Sequence, residues 1–213
     1  MTNYNEEYFF IADNEDERYP MLDLNDDYCD EYAMPLLRAE PIVYDKPILL
    51  EFAYPVPRNP KMGDYHSLEK PSPVFSEKLK KVIEDMQVKD IQFVPVLIEG
   101  KKKEMIEGYH AIKVCNLIYC ADLETSEYDT FDDGRVCTFE KLVLDNVKLD
   151  KIPLEDRLIF AVGEKRTYVV YHISVVEKML ATAPEGMTVY RLAGWDSSVP
   201  FYEAYGEYLK GLL

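Results

Sequence analysis

Ile91-Gln92-Phe93-Val94-Pro95-Val96-Leu97-Ile98 is followed by Glu99-Gly100-Lys101 and then by a second run from Met105 to Cys120. Both runs are rich in apolar and β-branched side chains, and a short Gly-containing turn separates them. That is the pattern of a β-hairpin, whose turn helps to set the register. A break falls near Asn116. Strands joined by short turns pair antiparallel, so the fold class read from this stretch is α+β: a mainly antiparallel β-sheet with two or three helices packed on one face.

Upstream of the hairpin, Phe75, Leu79, Val82, Ile83 and Met86 recur at three- and four-residue spacing, with Glu77, Lys78, Lys80, Lys81, Glu84 and Asp85 on the other side. This predicts an amphipathic helix on a core. Ser72 suits its cap and Pro73 its first position. Downstream, Arg135–Leu144, Arg157–Val162, Thr167–Tyr171 and Met187–Leu192 read as strands, with Gly163-Glu164-Lys165 as a hairpin turn. Ile173–Ala183 reads as a second helix stopped by Pro184-Glu185-Gly186, and the tail from Ser197, with Phe201, Tyr202, Tyr205 and Tyr208, as a third. Prolines crowd the stretch from Pro35 to Pro73, where only Pro47–Tyr54 reads as a strand. Tyr8-Phe9-Phe10-Ile11-Ala12 is a further strand. The organisation expected is an acidic, proline-rich segment over residues 1–70 packed on an α+β body over 71–213.

Of the 213 residues, 47% are hydrophobic and 13% aromatic, enough for a sizeable core despite the charge content. The first residues lack the basic and apolar regions of a secretory signal, no run reaches the length of a membrane span, and four cysteines show no disulfide-framework spacing. A reducing cytoplasm is expected. Forty Asp and Glu against 24 Lys and Arg give a net charge of −16, which opposes direct binding to a nucleic-acid backbone and attracts a basic partner. From Met1 to Ala33 eleven acids face only Arg18.

Familiar catalytic and metal motifs are missing. Asp23-Leu24-Asn25-Asp26-Asp27 begins like a calcium loop, but Tyr28 stands at the sixth position and Met34 at the twelfth. His66, His110 and His172 form no zinc-binding pair. Cys115 and Cys120, an odd number of residues apart on a strand, point to opposite faces and read as buried thiols. Neither a nucleophile elbow nor a phosphate loop is present. Carboxylates distant in sequence leave no local signature, so a hydrolase or metal-dependent enzyme built on Asp and Glu is the alternative to a binding protein.

Phe75-Ser76-Glu77-Lys78-Leu79-Lys80-Lys81-Val82-Ile83, Ile91-Gln92-Phe93-Val94-Pro95-Val96, Gly108-Tyr109-His110-Ala111-Ile112-Lys113-Val114, Cys120-Ala121-Asp122-Leu123-Glu124-Thr125-Ser126-Glu127-Tyr128 and Phe139-Glu140-Lys141-Leu142-Val143-Leu144-Asp145 follow one another in an order that resembles the Imm11-type immunity proteins of bacterial polymorphic toxin systems. The likeness spans Ser72 to Leu192 and leaves the first seventy residues outside it. It implies a cytoplasmic antidote that blocks a cognate toxin domain by binding, with no catalytic residues; on the residues themselves no cofactor, metal or membrane contact is expected.

An acidic inhibitor can be steered to a basic toxin domain. The partner-binding residues expected on that ground are Asp16, Glu17, Asp26, Asp27, Asp30 and Glu31, with the Asp129, Asp132 and Asp133 loop second. Tyr28 and Tyr32 are expected as exposed anchors, because aromatics among charges often hold an interface. The other reading of the same acids is a solvated surface that keeps the chain soluble.

Overall fold

The computed structural model describes residues 3–14, 16–25, 32–33, 35–36, 38–68 and 72–197. Among these are thirteen strands and three α-helices, an α+β fold that is mainly sheet and mostly antiparallel. One sheet has six strands in the order β2 (Leu22–Leu24), β3 (Ile48–Phe52), β6 (Ile91–Glu99), β7 (Met105–Val114), β5 (Val74–Ser76) and β4 (Tyr65–His66). A second has five, in the order β13 (Met187–Arg191), β1 (Tyr8–Asp13), β12 (Val169–His172), β11 (Ile159–Val162) and β8 (Leu117–Ile118). β9 (Glu127–Thr130) and β10 (Val136–Lys141) form a separate hairpin.

The β6–β7 hairpin is the longest pairing and stands at the centre of the six-stranded sheet. Val96 pairs with Tyr109 and Ile98 with Ile106, so β7 carries one residue more than β6 over this interval. Gly108 absorbs it at a φ of 86°, where a side chain would strain the backbone. Strand alternation then sorts the side chains. Val94, Val96, Ile98 and Ala111 face one core with Leu22, Leu24, Ile48 and Leu50; Phe93, Ile112 and Val114 face another. A parallel bridge between Leu22 and Leu68 brings the two margins of the sheet together, so it curls around the first of these cores. Tyr32, Leu36 and Ile42 pack into that core, and Lys113, pointing the same way as Ala111, donates from Nζ to the carbonyls of Pro35 and Arg38.

Residues on either side of position 70 are hydrogen-bonded into the same sheets. β1 lies between β13 and β12, and β3 pairs in parallel with β6. Along β1, Phe9 and Ile11 face the core between the two sheets, whereas Tyr8 and Phe10 face a third core with Phe160, Val170, Tyr190 and Trp195. The chain before β1 is fixed from outside the sheet: Asn5 Oδ1 accepts from Leu144 N–H (2.8 Å), and the buried Arg157 donates to the hydroxyls of Tyr8 (2.8 Å) and Tyr4 (3.2 Å).

Two of the helices, α1 (Glu77–Asp85) and α3 (Ile173–Leu180), pack against each other in the core between the sheets, through Leu79 and Ile83 on one and Val175, Val176 and Met179 on the other. α2 (Asn146–Leu149) is a single turn capped by Asp145, which accepts from Val147 N–H and Lys148 N–H. α1 starts four residues later than the Ser72-Pro73 signal suggests. Val74, Phe75 and Ser76 are claimed by pairing with Ala111, His110 and Tyr109, and the Ser76 hydroxyl donates to Asp64 (2.7 Å) instead of capping the helix. The third helix expected in the tail falls outside the described residues beyond Ser197.

Candidate partner-binding surface

Pairing of β9 with β10 places Asp129, Asp132 and Asp133 together, all exposed, at the tip of a hairpin that stands apart from the main sheets. Tyr128, Val136 and Phe139 fasten the hairpin to the third core. Its turn is closed by Phe131 N–H donating to the Arg135 carbonyl (2.9 Å) and Gly134 N–H donating to that of Phe131 (2.9 Å). Gly134 takes a φ of 81° there. Asp133 accepts from the backbone N–H and the guanidinium of Arg135, which together hold its carboxyl below the usual range.

The other expected acids are not gathered with these three. Asp16 and Glu17 sit in the turn after β1. The Arg18 guanidinium, bonded to Asp16 at 2.8 Å, brings its carboxyl down to about 2, so this acid already has a partner. Glu17 is exposed. Asp26, Asp27, Tyr28, Asp30 and Glu31 lie outside the described residues. Tyr32 is described, and it is only 3% exposed. The expectation of an exposed anchor at Tyr32 is therefore corrected: the curled sheet needs apolar side chains to fill its interior, and the ring is drawn in with Leu36 and Ile42.

Beside the hairpin tip runs a groove of about 630 Å³ that sequence reasoning missed. Three segments far apart in the chain line it: Tyr119 and Leu123 after β8, Phe131 and Gly134 to Val136 at the hairpin tip, and the Gly163–Thr167 turn between β11 and β12. Its apolar side chains are open to solvent, Tyr119 at 61%, Phe131 at 48% and Leu123 at 41%. The Tyr119 ring lies flat on Gly163, where a Cβ would come within 2.5 Å of it. Two cations lie over the Phe131 ring, Arg135 at 5.9 Å and Lys165 at 5.6 Å from its centroid. The Leu123 end is shaped by Asp122, whose carboxylate accepts from Thr125 Oγ1–H (2.7 Å) and Glu124 N–H (3.1 Å). These bonds make Asp122 a turn-former, and the Thr125 hydroxyl is the main reason its carboxyl stays acidic.

A profile of the immunity protein family Imm11 matches residues 7–193. The chain belongs to this family. The match takes in β1, β2 and β3, which a likeness starting at Ser72 leaves out, and the sheet order explains why: β1 is an inner strand of one sheet and β3 pairs with the central hairpin of the other. No curated protein sequence matches the chain. An Imm11 protein has an immunity role and, in general terms, a toxin as its partner. The hairpin tip and the groove both lie inside the matched residues. In this Imm11 protein no described helix is long and apolar enough to cross a membrane. Among the described residues no three His, Cys, Asp or Glu side chains converge as metal ligands, and Glu164 is the one carboxylate lining the groove.

Proposed function

We propose that this Imm11 protein neutralises a cognate bacterial toxin domain by stoichiometric binding, without catalysis, in the cytoplasm of the cell that makes both. The observation that carries this reading is the β9–β10 hairpin. It forms a sheet separate from the two main ones and carries Asp129, Asp132 and Asp133, all exposed, in the same few residues as the exposed Phe131. Exposed aromatics interspersed with charged residues often carry interface energy. With a net charge of −16 behind it, the tip attracts a basic domain and repels a nucleic-acid backbone. Glu17 and Asp16 extend the same acidic character to the turn after β1, and Asp26, Asp27, Asp30, Glu31 and Tyr28 join the proposal on their sequence alone.

The test is co-expression with the product of the neighbouring gene, expected to be the toxin. Rescue of growth, with purification of the two chains in a fixed one-to-one ratio, is the expected result. A toxin that is neither bound nor neutralised overturns the reading. So does protection that persists when the immunity protein is present in amounts far below the toxin, since that would indicate turnover.

A further inference from the structure

The groove differs in charge from the rest of the molecule. Lys165 and Arg166 line it in a chain whose net charge is −16, and Arg135, its third cation, is paired with Asp133 at 2.7 Å. Its one lining carboxylate, Glu164, accepts from Ala121 N–H at 3.2 Å. Among the described residues neither Lys165 nor Arg166 takes part in an ion pair, although acids outnumber bases. Cations left unpaired beside two solvent-open rings are a ready counterpart for a carboxylate next to an apolar side chain. Arginine and aromatic residues together are what interface centres are enriched in.

We propose that this groove seats a carboxylate-bearing segment of the toxin, with an aromatic or aliphatic side chain lodged between Tyr119 and Phe131 and its acidic group met by Lys165 and Arg166. The inference rests on the toxin-binding reading and adds to it a defined seat and a ligand chemistry opposite in sign to the rest of the surface. Gly163 is part of the device. Only a residue without a Cβ lets the Tyr119 ring lie flat on the turn, so Gly163→Ala displaces the ring.

The experiment uses the full chain and a catalytically inactive form of the toxin encoded beside it, with Kd measured by calorimetry. Lys165→Glu combined with Arg166→Glu, and separately Phe131→Ser, are each expected to weaken binding by about 30-fold or more, the scale of a hot-spot loss. Melting temperatures of the free variants identify any that fail to fold. The charge reversal, at positions outside the core, keeps the test decisive if Phe131→Ser unfolds. Hydrogen exchange on the complex should protect residues 119–123, 131–135 and 163–167. A toxin Asp or Glu protected in the same experiment, changed to Lys, should restore affinity for the charge-reversed variant. Binding within about 3-fold of the parent for folded charge-reversed and Phe131→Ser proteins overturns the groove while leaving the toxin-binding reading intact. Failure of the parent chain itself to bind removes both.

Discussion

Lys113 is a lysine with no exposed surface, and its ammonium is spent on two backbone carbonyls, those of Pro35 and Arg38. Burial pushes its pKa down, as desolvation of a cation must. Its position on β7 points it into the curled sheet, where it holds the segment bearing Tyr32 and Leu36 across the interior. Lys113→Met keeps the stem and deletes the donors, leaving both carbonyls unsatisfied. A loss of about 1–3 kcal/mol is expected from the denaturant midpoint, with faster amide exchange across residues 38–42. His66 is also fully buried, and its ring accepts from Gly63 N–H at Nε2 (3.0 Å) while Nδ1 meets the Pro20 carbonyl (2.8 Å). Only the neutral ring can do both. Burial lowers its pKa below that of a free histidine, and the same direction holds for His110 and His172. The unfolded chain therefore takes up protons first as pH falls. Stability is full above about 6.5, the unfolded value, and is lost as pH drops from there toward the folded pKa. Melting temperature should fall between about pH 7 and about pH 5, and His66→Gln, which offers a donor and an acceptor but gains no proton, should flatten that slope.

Among the elements, α1 shows how burial and surface charge divide the work. Leu79 and Ile83 are buried between the sheets, while Lys81 and Asp85 pair at 2.9 Å in solvent. Leu79→Ala is expected to cost about 2–5 kcal/mol. Lys81→Ala should leave the midpoint where it is, because an exposed pair at this spacing contributes little. Both are read from urea midpoints. The same helix shows where sequence was legible. Its apolar period was clear, but its start was not, because the partner strand that claims Val74, Phe75 and Ser76 is more than thirty residues away. The β6–β7 and β11–β12 hairpins were legible because each strand meets its neighbour across a short turn. β9 was not, since Tyr128 alone among its residues faces the core, and β2 was hidden among acids. Tyr32 looked exposed for the same reason: acidic neighbours describe a segment's surface and say nothing of which ring folds inward. The groove could not have been found by spacing, because Tyr119, Phe131 and Lys165 meet only through the packing of three separate turns.

At the scale of the whole molecule, two kinds of charge have two kinds of consequence. The acids of the hairpin tip and the net charge of −16 act at a distance, before contact, and are weakened by salt. In the proposed complex Lys165 and Arg166 act after contact, against a partner carboxylate that has lost its water. The two sets therefore belong to different rate constants. Replacing Asp129, Asp132 and Asp133 with Asn should slow association with a basic toxin by up to about 10-fold at low salt and leave dissociation close to that of the parent. Raising salt should abolish the difference. The Lys165→Glu and Arg166→Glu pair should act on the other rate, speeding dissociation without slowing association, which rises if anything at low salt because the molecule becomes still more acidic. Surface-bound kinetics at two ionic strengths would separate them. If tip variants altered only dissociation, the acids would be direct contacts and the long-range field would have no part in capture.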